Sequence, residues 1–127
     1  MTYSNLQIFT VELVGTFILV VFATGSIVLD AEMFNGELGI PFAAVAPFVA
    51  LLIGVYSFGK VSLAHFNPAV SAAFALRGAL SGRLALFYIV CQIAGGIFGT
   101  LLAHWMFAAP LLQDATLLRS GIHQYGS

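Results

Sequence analysis

The chain has 127 residues, of which 61% are apolar and only 7% charged, with a net charge of -1. An ordinary soluble domain carries roughly 25% charged residues, so this composition excludes a water-soluble domain and puts most of the surface in lipid. The absence of a basic tract excludes nucleic acid as a partner. Uncharged runs over residues 13–29, 38–59 and 84–113 are each about as long as a membrane crossing or longer.

The first span is predicted over residues 7–29, interrupted only by Glu12. No basic region precedes it and it is long enough to cross, so it reads as its own insertion signal and not as a cleavable signal peptide. An ionisable group inside a span costs on the order of 2.5–3.5 kcal/mol and is usually paired, which marks Glu12 as functional or structural glue. A plainer reading keeps Glu12 near the membrane surface. The connection from Asp30 to Gly39 is acidic and holds no Lys or Arg. A second span is predicted over 40–58.

Residues 61–77 differ from their neighbours. Asn is a preferred helix N-cap and Pro is favoured at the first helical position, so Asn67-Pro68 reads as a helix start. Arg77-Gly78 supplies a cation and a C-terminal glycine, so the helix ends there. Such a helix is about ten residues and roughly 15 Å long, half the hydrocarbon thickness. With Arg77 at the interface, Asn67 lies near the midplane; the plainer reading has Asn67 capping a helix at the surface.

A third span is predicted over 83–107, with His104 and Trp105 at an interface, and residues 108–127 form a tail. Lys60, Arg77 and Arg83 flank the short helix on the side opposite the acidic connection. The positive-inside rule therefore puts the N-terminus and the loop bearing Asn67 on the cytoplasmic side of an inner or plasma membrane, with Arg119 alone opposing. The second and third spans both meet that side, so the short helix enters and leaves there as a re-entrant loop. The expected fold is all-α: three transmembrane helices plus one re-entrant half-helix.

Residues 61–66 then descend into the membrane without helical hydrogen bonds, and such backbone survives only buried in protein or lining a wet cavity. A row of carbonyls along a narrow path can replace a solute's hydration shell. The helix beyond adds its positive dipole end and the Asn67 amide adds a donor, which repels cations and suits a neutral molecule with an acceptor oxygen. Gly95 and Gly99 form a small-xxx-small face for close helix contact. Cys91 reads as a small buried side chain, and the Phe residues read as packing or lipid-facing groups. His65 has no second His, Cys or carboxylate at ligand spacing, and His104 and His123 are isolated, so no metal or cofactor is expected. No nucleophile and base stand at useful spacing, so no enzyme is expected.

His65-Phe66-Asn67-Pro68-Ala69-Val70 after the second span, Glu12-Leu13-Val14-Gly15-Thr16-Phe17 in the first, and Gln92 with Gly95 in the third resemble the amino-terminal half of the aquaporin and aquaglyceroporin (major intrinsic protein) family, over about residues 7 to 107. The resemblance implies half of an inverted-repeat channel, passive to water and small neutral solutes such as glycerol. It puts Asn67 at the pore centre, with Pro68 and Ala69 packed on an opposing half-helix. Leu63, Ala64, His65 and Phe66 are to line the cytoplasmic half through their carbonyls. Glu12 is to hold that backbone, and Gln92 has a secondary polar role. The filter position on the second span falls on Pro47, with Phe48 beside it; Pro47 lacks a bulky ring, which suggests a wider filter than that of a strict water channel.

The resemblance also implies a partner, since one half cannot close a pore. Either a carboxy-terminal half of the same channel or an inverted second copy is needed, and complete channels of the family group as tetramers. The end of the chain, from Leu117 to Ser127, resembles the connector to a fourth span, which favours truncation over a natural half-size protein. The competing functional class is a small proton-coupled exporter built as a dimer around Glu12; a membrane assembly subunit without transport is a third reading.

Overall fold

A computed structural model describes residues 3–107. Its four helices are α1 (Asn5–Met33), α2 (Gly39–Ser62), α3 (Pro68–Leu76) and α4 (Gly82–Phe107). The described residues contain no strand, and α1, α2 and α4 are each long and apolar enough to cross a membrane. The expected all-α architecture with one short helix is therefore present.

The helices run past the predicted spans for local reasons. Ser4 caps α1 through a capping box, its hydroxyl accepting from the Gln7 N–H while the Gln7 side chain accepts from the Ser4 N–H, which starts the helix at Asn5. The other end of α1 continues through Met33, so Asp30 belongs to the helix and not to the connecting loop. Its carboxylate turns back to accept the Leu38 and Gly39 N–H groups, each at 2.9 Å. Leu38, the α2 N-cap, offers no side-chain hydrogen bond of its own, so Asp30 caps α2 from across the turn. Replacing Asp30 by Ala is expected to cost about 1–2 kcal/mol, the usual worth of a lost cap. Thermal unfolding in detergent would measure it, with Asp30→Asn recovering part of the loss.

At its far end α2 also outlasts the expectation. Val61 and Ser62 remain helical, and Leu63 closes the helix in the left-handed region (φ 67°) with its N–H donating to the Gly59 carbonyl at 3.0 Å. The non-helical stretch is thus confined to residues 63–66, and from Ala64 to Phe66 the N–H groups bond to side chains instead of helical carbonyls. Arg77 is the C-cap of α3, and Gly78 follows with φ 73°, as its glycine signal requires.

Helices α1 and α4 run parallel in close contact, and α2 packs antiparallel on the other flank of α1. A Cβ on Gly95 would lie 2.4 Å from the Leu13 carbonyl oxygen, and one on Gly99 would lie 2.8 Å from that of Phe17. The two glycines therefore let the α1 and α4 backbones touch, the role small residues play where no hydrophobic driving force separates helix from lipid. At the end of α4, Trp105 is 80% exposed but His104 is buried, its Nδ1 lying 2.8 Å from the Thr100 carbonyl. His104 follows Ala103 on the inward face of α4. Cys91 is half-buried. The predicted tail of 108–127, with Arg119 and His123, lies outside the described residues.

Candidate functional site

The site is built on Glu12, which is wholly buried in α1. Its charge is thus enclosed by protein groups and not presented to solvent. Its Oε1 accepts the Ser62 hydroxyl at 2.5 Å and the His65 N–H at 3.0 Å. Its Oε2 accepts the Phe66 N–H at 2.8 Å and the Gln92 Nε2–H at 2.7 Å. Every group aimed at the two oxygens is a donor, the environment a carboxylate, which has only acceptors, satisfies. One side chain thus joins α1, the end of α2, the unwound segment and α4.

Gln92 extends the cluster. Its second Nε2 hydrogen reaches the Ser71 hydroxyl at 2.9 Å, and Ser71, four residues after Asn67, holds the first turn of α3 against α4. The His65 Nδ1 lies 3.1 Å from the same hydroxyl. Tyr88, one turn before Gln92, donates its hydroxyl to the Ser62 carbonyl at 3.0 Å. Gln92 is therefore central and not secondary. Ser62, Ser71 and Tyr88 carry the site without having been singled out from the sequence. A signal for them existed: Tyr88, Gln92, Gly95 and Gly99 recur at helical spacing and make one inward stripe on α4.

The unwound segment takes its shape from these anchors. Leu63, Ala64 and Phe66 all have positive φ (67°, 49° and 46°), costly for residues with side chains and sustained only where the surroundings dictate it. The Ala64 N–H donates to the Ser62 hydroxyl at 3.1 Å, and those of His65 and Phe66 go to Glu12. These peptide bonds are trans, so each of these peptide units turns its carbonyl the opposite way. The carbonyls of Leu63, Ala64 and His65 consequently point away from the Glu12 cluster. The peptide between Phe66 and Asn67 has no such anchor on its N–H.

The side chains of the segment behave differently from its backbone. Leu63 is 65% exposed, whereas Ala64, His65 and Phe66 are buried. The His65 ring lies between Phe74 and Tyr88, with ring centroids 4.4 Å and 5.2 Å away, and its buried Nε2 has no hydrogen-bond partner among the described residues. No group of residues that could hold a metal ion occurs among the described residues.

Asn67 is exposed at the head of α3. Its Oδ1 accepts the Ala69 N–H at 2.8 Å, as an N-cap should. That bond fixes which way the amide faces: oxygen toward the helix, NH2 outward. Ser71 sits level with Gln92 of α4, about 15 Å from the start of that helix at 1.5 Å per residue, and Asn67 lies about 6 Å deeper. Asn67 thus stands close to halfway along α4. Pro68 occupies the first helical position of α3 and Ala69, its neighbour, is exposed. On α2, Pro47 falls at helical spacing from Ala50, Gly54 and Ser62 on the inner face, while the adjacent Phe48 is 61% exposed.

A family model described as Major intrinsic protein matches residues 1–125. The Aquaglyceroporin AqpS of Rhizobium meliloti is 41% identical over 115 residues, covering 90% of this chain and 49% of that protein. The Probable aquaporin AqpM of Archaeoglobus fulgidus is 38% identical over 118 residues, 80% of this chain and 48% of its own length. Aquaporin Z of Photorhabdus laumondii is 36% identical over 107 residues, 83% of this chain and 46% of its own. The chain thus spans about half the length of the curated relatives it matches. With a family model covering nearly all of it, the chain belongs to the major intrinsic protein family, whose members are membrane channels and not enzymes.

Proposed function

We propose that this chain forms half of a passive channel for water and small neutral solutes, with Asn67 as the donor at the pore centre. The observation that carries the proposal is the Asn67 amide: its oxygen is held by Ala69, so its NH2 faces outward about halfway along α4. A solute oxygen arriving there meets a fixed donor and the positive end of α3, a combination unfavourable to cations. The outward carbonyls of Leu63, Ala64 and His65 form the path to it from the cytoplasmic side, with the Phe66 carbonyl completing the approach. Pro68 and Ala69 present the short surface on which an opposing half-helix packs.

The pore needs a second half, either a carboxy-terminal half of the same channel or an inverted copy of this chain, and complete pores group as tetramers. Lys60, Arg77 and Arg83 put the Asn67 loop on the cytoplasmic side of a plasma or inner membrane. Pro47, and not the outward Phe48, supplies the filter wall on α2. Its small ring suits solutes wider than water, and a relative named as an aquaglyceroporin supports including glycerol. The engagement of both Glu12 oxygens inside one chain favours the channel over the alternative, an exporter dimer built around that carboxylate.

Osmotic shrinkage of proteoliposomes holding this chain together with its carboxy-terminal half tests the reading. Water flux is expected to be unaffected by collapsing a proton gradient. Asn67→Ala should lower it about tenfold, the equivalent of one lost hydrogen bond of ~1.4 kcal/mol. Undiminished flux in a folded Asn67→Ala variant, with no added proton leak, would refute the pore-centre role.

A further inference from the structure

Phe66 is held in a way that the hydrogen-bond cluster does not explain. Its φ of 46° is one that a glycine would adopt freely and a bulky residue adopts only under constraint. Its ring is 3% exposed. A Cβ built on Gly15 of α1 would lie 2.0 Å from the ring's Cε1 and 2.4 Å from its Cζ, and one built on Gly54 of α2 would lie 2.9 Å from Cε2 on the other edge. Phe58 closes the slot edge-on, with ring centroids 6.4 Å apart. Two glycines on different helices thus leave a gap of one ring's width, and Phe66 fills it.

The residue before Asn67 is the place where such a wedge has most leverage. The His65 and Phe66 N–H groups are tethered to the two oxygens of a single carboxylate, and two neighbouring tethers on one group act as a hinge. The Ala64 N–H and the His65 ring have contacts of their own away from the carboxylate, but both lie before Phe66, and the link next to Asn67 needs one too. The Phe66 ring provides it, and Asn67 is the next link, its Cα only about 3.8 Å from that of Phe66. We propose that Phe66 is a positioning residue: wedged between Gly15 and Gly54, its ring sets the depth and angle at which the Asn67 amide is presented. For solute selection this rests on the channel reading above, whereas the positioning of Asn67 does not.

The ring and its slot then behave as one unit, so that filling a glycine displaces Asn67 and shortening the ring makes room again. The test uses Gly54→Ala, the milder of the two glycine changes, together with Phe66→Leu and the double variant. In the full chain reconstituted in lipid, solid-state NMR reads the side-chain amide signal of Asn67. With the carboxy-terminal half present, proteoliposomes read the ratio of glycerol to water permeability. Gly54→Ala is expected to move the Asn67 signal and change the ratio by about threefold or more, and the double variant to restore both, as contacting residues do in double-mutant cycles. An Asn67 signal unmoved in the folded single variants, or a double variant displaced further than either single, would overturn the proposal. If Gly54→Ala does not fold alone, the double variant must fold and keep the parental signal, or the proposal fails. An unchanged flux in Asn67→Ala would instead defeat the channel reading, while the NMR measurement still decides on positioning.

Discussion

Glu12→Gln is expected to destabilise the chain by about 1.5–3 kcal/mol, because at least one backbone hydrogen bond to a charged acceptor, worth ~1.5–3 kcal/mol, becomes a contact between donors. The carboxylate receives two donors on each oxygen. The Ser62 hydroxyl can turn to accept and the Gln92 amide can flip, but an NH2 at Oε1 still confronts the His65 N–H and one at Oε2 the Phe66 N–H. Neither orientation of Gln escapes, and lipid offers no water to satisfy the stranded N–H groups. Loss should appear as a lower unfolding midpoint in a detergent titration and as proteolysis within residues 63–66. A Glu12→Gln variant of parental stability would show that the segment does not depend on this carboxylate. Under a proton-coupled exporter reading the opposite is expected, a stable variant that has lost only its coupling.

The second large effect is expected at Gly95, where Ala should cost about 1–3 kcal/mol, the range for overpacking a close contact. The added methyl would sit 2.4 Å from the Leu13 carbonyl oxygen and 3.1 Å from the Phe17 nitrogen, both backbone atoms that cannot rotate aside. The two helices must separate, and Gln92, three residues earlier on the same face, is drawn away from Glu12. Gly96→Ala is the control, because its methyl would meet only a Val20 methyl at 3.9 Å. The same detergent titration should find Gly96→Ala within about 0.5 kcal/mol of the parent, as for substitutions away from tight contacts. Equal costs at the two positions would rule out backbone contact as the reason for Gly95.

Some of this site was legible in the residues and some was not, for separable reasons. Asn67-Pro68 and Arg77-Gly78 announce both ends of α3 because capping is local chemistry that needs no neighbouring helix. Glu12 stood out because a charge in an apolar run demands a partner. Gln92 stood out only through the resemblance, with a secondary role, and Ser71 not at all, since a neutral polar side chain in a span is cheap enough to be incidental, and only packing α1, α3 and α4 together turns the two into a bridge. The extent of the unwound segment was overread at Val61 and Ser62, where nothing in the sequence signals that the helix persists until Leu63 turns left-handed.

Composition and local signals by themselves determined that the chain lives in a membrane, where α3 starts and stops, and that this helix is too short to cross. Those properties depend on each residue's own transfer energy and on hydrogen bonds to near neighbours. The tertiary structure alone decided which donors Glu12 receives, which way the carbonyls of Leu63, Ala64 and His65 turn, and that Phe66 lodges between Gly15 and Gly54. Each of these joins groups far apart in sequence, and their geometry exists only once the α1, α2 and α4 backbones have been brought into contact.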